Sequence, residues 1–315
     1  MPELSMVTGG AGFIGSHLVE ALLQQGQRVR VLDDFSTGLR SNLAHLNPPP
    51  EIVEGSLADP NIVAKAADGA AVVYHLGALA SVARSVETPL LTHAACATGT
   101  LHVLDAARKA GVRRVVYAAS SSAYGGASSE HGQTEDTPLK ALSPYAAAKL
   151  AGELYMQAFT ATYGLETVRL RFFNIFGPRQ RSDSPYSGVI ALFIAAMSAG
   201  QTPVIHGDGL QSRDFTYVAN AVQALTKAAQ AKHVAGQVYN VGTGNSISVL
   251  DLVEALNRIL HTDLIALHGP TRMGDVRFSK ADISRTQRDL GYAPDVSFAE
   301  GLAKTVRWYG ETQAK

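Results

Sequence analysis

Cysteine is almost missing from this chain: Cys96 is the single one in 315 residues. One cysteine excludes an intrachain disulfide framework and a cysteine-built zinc site, and no metal is expected. It suits a reducing compartment, so a cytoplasmic location is expected. An excess of charge is also missing. Lys and Arg total 27, Asp and Glu total 27, and the formal net charge is zero. That balance provides no basic footprint for nucleic acid. Any anion bound here must be held by local groups. Long apolar runs are lacking too. The longest, Val189–Met197, has nine residues, against the roughly 20 that span a bilayer. It reads as a buried helix, and no membrane partner is expected. Met1-Pro2-Glu3 leads directly into a strand-like stretch, without the basic-then-apolar order of an export signal.

What is present supports a large core. Hydrophobic residues make up 46% and charged residues 17%, which excludes a disordered chain. The first 175 residues alternate short apolar runs with amphipathic stretches. Leu4–Val7, Val29–Leu32, Ile52–Glu54, Val72–Leu76, Val115–Ala119 and Val168–Phe172 read as strands. His17–Gln25 and Leu101–Ala110 read as helices between them. This alternation predicts an α/β fold, a Rossmann-like, doubly wound parallel sheet with helices on both faces. Ser143-Pro144 marks a helix start, since serine caps well and proline suits the first turn. Beyond about residue 177 helical patterns dominate: Val189–Met197, Val218–Gln230, Val249–Leu260 and Phe298–Tyr309, with short strands at Pro203–Ile205 and Val238–Val241. Residues 1–177 are therefore expected to form a dinucleotide-binding domain. Residues 178–315 form a smaller, discontinuous lobe, with about 210–245 returning to the first domain.

The chemistry begins at Thr8-Gly9-Gly10-Ala11-Gly12-Phe13-Ile14-Gly15, between the first strand and first helix. Glycines at that spacing allow a tight turn and close approach of backbone to a pyrophosphate, which the helix N-terminus then meets. The next strand ends in Asp33-Asp34. A carboxylate there accepts from adenosine ribose hydroxyls and repels a 2′-phosphate, so NAD is expected over NADP. Tyr145-Ala146-Ala147-Ala148-Lys149 places a phenol and an ammonium one turn apart on a helix. A phenol of ordinary pKa near 10 needs nearby cations to ionise at neutral pH. The strand Val115–Ala119 runs into Ser120-Ser121-Ser122, where a hydroxyl would face a ligand at the carboxyl edge of the sheet.

These motifs, with Ser120-Ser121-Ser122-Ala123-Tyr124-Gly125, Arg171-Phe172-Phe173-Asn174-Ile175-Phe176-Gly177, Gly207-Asp208-Gly209-Leu210-Gln211-Ser212-Arg213-Asp214 and Gly274-Asp275-Val276-Arg277-Phe278-Ser279, resemble the extended short-chain dehydrogenase/reductase family. Within it they resemble the nucleotide-sugar 4-epimerases. The resemblance implies Ser120 as catalytic hydroxyl, Tyr145 as general base, and Lys149 as its tuner and ribose ligand. It implies a cofactor site of Gly9, Gly12, Phe13, Ile14, Gly15, Asp33, Asp34, Phe35, Ser36, Thr37 and Gly38. Ser56, Leu57, Leu76, Gly77, Ala78, Ala80, Cys96 and Phe173 complete that site. It implies a substrate site of Ser120, Ser122, Tyr145, Asn174, Gly188, Val189, Val204, Ile205, His206, Arg213, Arg272, Asp275 and Ser279. Arg213 and Arg272 would grip the diphosphate. A reading of Arg213 from its neighbour alone is an ion pair with Asp214.

Two positions depart from the family pattern: Cys96 replaces a common asparagine and Ser56 a common aspartate. The family's dehydratases carry an Asp-Glu pair after the catalytic hydroxyl and its UDP-glucuronate decarboxylases a glutamate. Ser121 and Ser122 stand there instead. The resemblance therefore implies an isomerase: NAD-dependent C4 epimerisation of UDP-glucose and UDP-galactose through a 4-keto intermediate. A small residue at Ser279 implies room for UDP-N-acetylglucosamine and UDP-N-acetylgalactosamine. Ser279-Lys280-Ala281-Asp282 also has the spacing of a helix cap. Alternatives are a UDP-glucuronate 4-epimerase, a CDP-sugar 2-epimerase, or a non-catalytic NAD-sensing regulator, which would lose the Tyr-Lys pair that is kept here. A homodimer is expected, through a four-helix bundle of Leu101–Ala110 and Tyr145–Tyr163.

Overall fold

The structure, a computed structural model, describes residues 2–126, 132–183, 187–271 and 276–313. The first half runs β1 (Leu4–Thr8), α1 (Phe13–Gln24), β2 (Arg28–Asp33), β3 (Glu51–Glu54), α2 (Pro60–Ala67) and β4 (Val72–His75). It continues through α3 (Val82–Glu87), α4 (Pro89–His93), a π-helical turn (Ala94–Thr98), α5 (Gly99–Lys109), β5 (Arg114–Ser120), a 3₁₀ turn (Ser121–Tyr124), α6 (Pro144–Tyr163) and β6 (Glu166–Phe172). The second half holds β7 (Ile175–Phe176), α7 (Val189–Ser198), β8 (Val204–His206), β9 (Ser212–Arg213), β10 (Thr216–Tyr217), α8 (Val218–Gln230) and β11 (Gln237–Val241). It closes with β12 (Ile247–Ser248), α9 (Val249–Leu260), β13 (Leu267–Gly269), β14 (Phe278–Ser279), α10 (Ser284–Leu290) and α11 (Phe298–Gln313).

Seven strands form one parallel sheet in the order β11-β6-β5-β4-β1-β2-β3. Strand period sets its two faces. Val7 and Val31 face Leu18, Leu22, Ala221 and Leu225 of α1 and α8. Their neighbours Met6 and Leu32 face Val63, Val103, Leu104 and Met156 of α2, α5 and α6. Chain order reverses between β1 and β4. The carboxyl ends of these two strands therefore open the crevice in which a doubly wound sheet holds its ligand. A third core, built on Phe176, Phe193, Ile194, Phe215, Leu252 and Leu302, fills the second lobe.

The expected elements recur with small shifts. α1 begins at Phe13, one turn before the predicted start. Val238–Val241 becomes β11 and pairs with β6 in the large sheet. α6 starts as predicted, with the Ser143 hydroxyl accepting from the Ala146 N–H at 3.1 Å. One expectation fails. Ser279 caps no helix: it lies in β14, and α10 begins only at Ser284, whose N–H binds Asp282 Oδ1 at 2.9 Å. The apolar side of α5 is used internally, with Val103, Leu104 and Ala107 in the core, while exposed apolar residues gather on α3, α4 and α6.

Candidate active site

The glycine turn is shaped by close contact. Gly9 has φ +67°, and a Cβ on Gly15 would collide with the Gly9 carbonyl oxygen. No side chain larger than hydrogen fits there. Gly12 is the N-cap of α1 and offers no side-chain acceptor, so the N–H groups of the first turn stay available. Asp33 ties this turn to the next loop. Its Oδ2 accepts from the Ala11 N–H and its Oδ1 from the Phe35 N–H, each at 2.9 Å. Burial pushes this carboxyl up from its ordinary value, and the two N–H donors pull it back. Each oxygen keeps a second lone pair. Asp34 turns outward and binds the Ser36 N–H and hydroxyl. Ser36 and Thr37 are exposed. Gly38 is buried against Ala11 and Asp33, and the Arg40 guanidinium covers the Phe35 ring.

Ser56 follows β3 and accepts from the Ala58 N–H at 3.2 Å, and Leu57 wedges between Gly77 and Gly99. Leu76, Gly77, Ala78 and Ala80 leave β4 beside the glycine turn, Gly77 being close enough that a Cβ on Gly9 would strike it. Phe173 is fully buried against Tyr124. An open helix N-terminus, spare acceptors on Asp33 and a glycine-lined approach together fit a dinucleotide.

A relay that sequence reasoning missed runs beneath this floor. The Gly77 N–H binds Thr8 Oγ1 at 3.0 Å, and Thr8 Oγ1 lies 2.7 Å from His75 Nδ1. His75 Nε2 lies 2.9 Å from Thr100 Oγ1, which donates to the Cys96 carbonyl at 2.6 Å. Because Thr100 spends its hydrogen on Cys96, His75 Nε2 must carry the ring proton. Burial lowers the His75 pKa to about 3, so the ring is neutral. The only sequence sign was a histidine ending an otherwise apolar strand.

Ser120 ends β5, and Ser122 supports it. Ser120 Oγ accepts from the Ser122 N–H at 3.2 Å and from the Ser122 hydroxyl at 2.9 Å. Tyr145 stands in the first turn of α6. Desolvation pushes the Tyr145 phenol well up, and Ser120 pulls it partly back. Lys149 is buried, donates to the Ala118 carbonyl at 2.9 Å and sits 4.7 Å from the Tyr117 ring centre. Desolvation pushes its ammonium pKa down. The expected lowering of Tyr145 is thus outweighed by burial in the protein alone. Cys96 lies buried in the π-helical turn and packs with Tyr145 and Ala148.

Of the expected substrate residues, Asn174 (φ +37°) reaches the Asp214 carbonyl at 3.4 Å. Gly188 caps α7, Val189 opens it, and Val204, Ile205 and His206 make β8, with His206 near the Pro270 carbonyl at 3.2 Å. Arg213 and Ser279 stand side by side across the β9–β14 pair. Arg272 and Asp275 lie outside the described residues. Asp214 is not a surface partner of Arg213. It is fully buried and accepts from Thr243 N–H and Oγ1, Gly244 N–H and Ala281 N–H at 2.7–3.1 Å.

The doubly wound sheet with a glycine turn, a carboxylate after β2 and a Ser-Tyr-Lys cluster defines a dinucleotide-dependent enzyme. A family model described as the NAD dependent epimerase/dehydratase family matches residues 5–242, and the chain belongs to that family, whose cofactor is NAD. A UDP-glucose 4-epimerase of Mycolicibacterium smegmatis is 38% identical over 97% of this chain and 98% of its own. A solved UDP-glucose 4-epimerase of Thermotoga maritima, with UDP-glucose, has TM-score 0.94 and 35% identity, covering 98% of this chain and 99% of that one. A UDP-N-acetylglucosamine 4-epimerase of Methanobrevibacter ruminantium, with UDP-N-acetylmuramic acid, has TM-score 0.93 and 37% identity over 99% and 100%. A dTDP-glucose 4,6-dehydratase of Streptomyces griseus stands at 36% over 96% and 93%. Among the described residues, no helix is long and apolar enough to cross a membrane.

Proposed function

We propose that the protein is a UDP-sugar 4-epimerase, acting on UDP-glucose and UDP-galactose and on their 2-acetamido counterparts. The observation that carries this reading is the cluster of Ser120, Tyr145 and Lys149 at the end of β5, followed by Ser121 and Ser122 rather than carboxylates. Abstraction of a C5 proton with loss of water needs an acid–base pair of ordinary carboxylate type; moving a proton on and off O4 needs only the phenol. NAD supplies the hydride acceptor and donor at C4. Tyr145 takes the O4 proton while Ser120 holds that oxygen, and Tyr145 returns the proton when the other C4 epimer forms. Lys149, fixed by the Ala118 carbonyl, orients the cofactor's ribose. The first-turn N–H groups of α1 meet the dinucleotide pyrophosphate, and Asp33 takes the adenosine ribose.

On the sugar side, Asn174, Arg213 and Arg272 hold the diphosphate, and guanidinium groups suit phosphate oxygens. Gly188, Val189, Val204, Ile205 and His206 border the uracil. Ser279 bounds the sugar's C2 substituent. Its place in β14 beside Arg213 supports that role, and the failure of the helix-cap reading removes the rival one. A second copy of the chain pairs through α5 and α6 in a four-helix bundle, and exposed Val86, Leu90 and Leu154, at 65%, 82% and 66%, extend an apolar surface over α3, α4 and α6.

The test is a panel of UDP-glucose, UDP-galactose, both N-acetylated sugars and UDP-glucuronate, with products separated by C4 configuration. Interconversion of the C4 pairs supports the reading. Release of carbon dioxide or a 4-keto-6-deoxy product would transfer the protein to the decarboxylase or dehydratase branch.

A further inference from the structure

Ser120 ends β5 of the large sheet, and Ser279 lies in β14 of a small one. The proposed substrate touches both, so their separation has to be set. The segment after Ser279 is bonded on two sides. Toward the sugar lobe, the Asp214 N–H binds the Ser279 carbonyl at 2.8 Å, and the Ala281 N–H binds Asp214 Oδ2 at 3.1 Å. Toward the large sheet, the Gln133 N–H binds the Lys280 carbonyl at 2.8 Å, and the Asp282 N–H binds the Gln133 carbonyl at 2.9 Å. Asn240, on β11 at the edge of that sheet, joins this second side to the turn after Ser120. Its Nδ2 lies 2.7 Å from the Gln133 carbonyl and 3.1 Å from the Asp282 carbonyl. Two carbonyl oxygens can face only the NH₂ side of a carboxamide, so Oδ1 lies opposite. Oδ1 accepts from the Tyr124 hydroxyl at 2.6 Å. Tyr124 closes the 3₁₀ turn that begins at Ser121, directly after Ser120. We propose that Asn240 is a positioning residue for substrate choice: it fixes the Ser279 segment against the turn that follows Ser120.

Both ends of this link are buried, Tyr124 being 1% and Asn240 0% exposed. The Tyr124 oxygen also accepts from Arg171 Nη1 at 3.0 Å. The Asn240 backbone is pinned separately. Its N–H binds Glu135 Oε1 at 2.8 Å, and its carbonyl accepts from the Thr286 hydroxyl at 2.6 Å. The carboxamide can therefore be altered with those backbone bonds in place. Loss of its donors leaves the segment its lobe-side bonds to Asp214. Ser279 then follows the sugar lobe rather than the turn after Ser120. Rejection of a large substrate requires a wall that does not yield, so a loosened wall discriminates less between sugars.

This inference rests on Ser279 bounding the C2 substituent, and the first of its two readouts needs no turnover. In the NAD-loaded protein, amide hydrogen exchange is followed at Ala281 and Asp282, with β1 and β4 as internal reference. Asn240→Asp keeps the acceptor for Tyr124 and loses the donors. Tyr124→Phe keeps the ring against Phe173 and loses the hydroxyl. Each variant speeds exchange at 281 and 282 by about tenfold, the effect of one buried hydrogen bond, while the reference strands keep their rates. Tyr124→Phe is the stricter case, because its hydroxyl bonds Asn240 and Arg171 rather than the segment. The second readout is substrate choice. In the Ser279→Tyr protein, adding Asn240→Asp raises kcat/KM for UDP-N-acetylgalactosamine relative to UDP-galactose by about tenfold, since the bulky wall can now retreat. A residue that only supports the fold would lower both sugars alike. Unmoved exchange in both variants, faster exchange shared by the reference strands, or an unchanged sugar ratio in a Ser279→Tyr protein that does discriminate overturns the proposal. If Ser279→Tyr does not discriminate at all, the reading of Ser279 falls, and the exchange result alone decides whether Asn240 holds the segment.

Discussion

Around Gly9 the chain is held by backbone and by buried polar groups in series, whereas around Arg213 it is held by one carboxylate. On the dinucleotide side, strands of four to seven residues lie in one seven-stranded parallel sheet, with the Thr8–His75–Thr100 relay beneath its edge. On the sugar side, β9, β12 and β14 are two-residue strands in a three-stranded patch among the described residues. Asp214 gathers the neighbouring loops by accepting from residues 243, 244 and 281. The first construction places atoms through regular elements. The second places them through single side chains, so a change of one residue can reshape the pocket without disturbing the cofactor.

The sharpest break in that contrast is Tyr145→Phe. Loss of the general base should cost roughly 10²–10⁴-fold in kcat while fold and bound NAD persist; near-normal rates would remove Tyr145 from the mechanism. Next is Ser279→Tyr, which fills the C2 side of the pocket. Turnover of the N-acetylated sugars should fall at least about 100-fold relative to UDP-galactose, because the clash acts on the larger substrate alone. An equal loss on all substrates would show that Ser279 supports the lobe rather than selects the sugar. Asp214→Ala strands buried N–H donors and should lower unfolding free energy by about 3 kcal/mol in urea titration. A loss below about 0.5 kcal/mol would mean that Asp214 is no clamp.

His75 gives a pH signature on the opposite side. Its folded pKa is lowered to about 3 by burial. Below its unfolded value near 6.5 the unfolded chain takes up a proton that the folded chain refuses, so stability falls as pH falls through that window. Between pH 6.5 and 5 His75 alone should remove about 2 kcal/mol, and His75→Gln should flatten that part of the slope. An unchanged slope in the variant would contradict a buried neutral ring. The smallest expected effect is at Asp33. Asp33→Ser should weaken NAD retention and shift the NAD/NADP preference by about tenfold, read as two dissociation constants. An unchanged ratio would show that Asp33 serves only the Ala11 and Phe35 amides.

What could be read before the structure follows the same division. The glycine spacing, Asp33 and Tyr145-x-x-x-Lys149 are short-range patterns in which chain order dictates geometry: the turn between β1 and α1, the last residue of β2, and the first turns of α6. The burial that pushes Tyr145 up could not be read, because it depends on distant neighbours. Asp214 was invisible for the same reason: its donors lie about 30 and 67 residues further along the chain. Ser279 misled because a four-residue spacing cannot tell a cap from a strand paired with residue 213.

The central claim is that a proton moves only on O4 and that hydrogen at carbon stays within the cleft. Proton NMR of UDP-galactose incubated with the NAD-loaded protein in heavy water tests it most directly. The account predicts UDP-glucose with hydrogen retained at C4 and C5 and no other product. Deuterium at C5, loss of water or loss of a carboxyl group from a uronic acid analogue would contradict it.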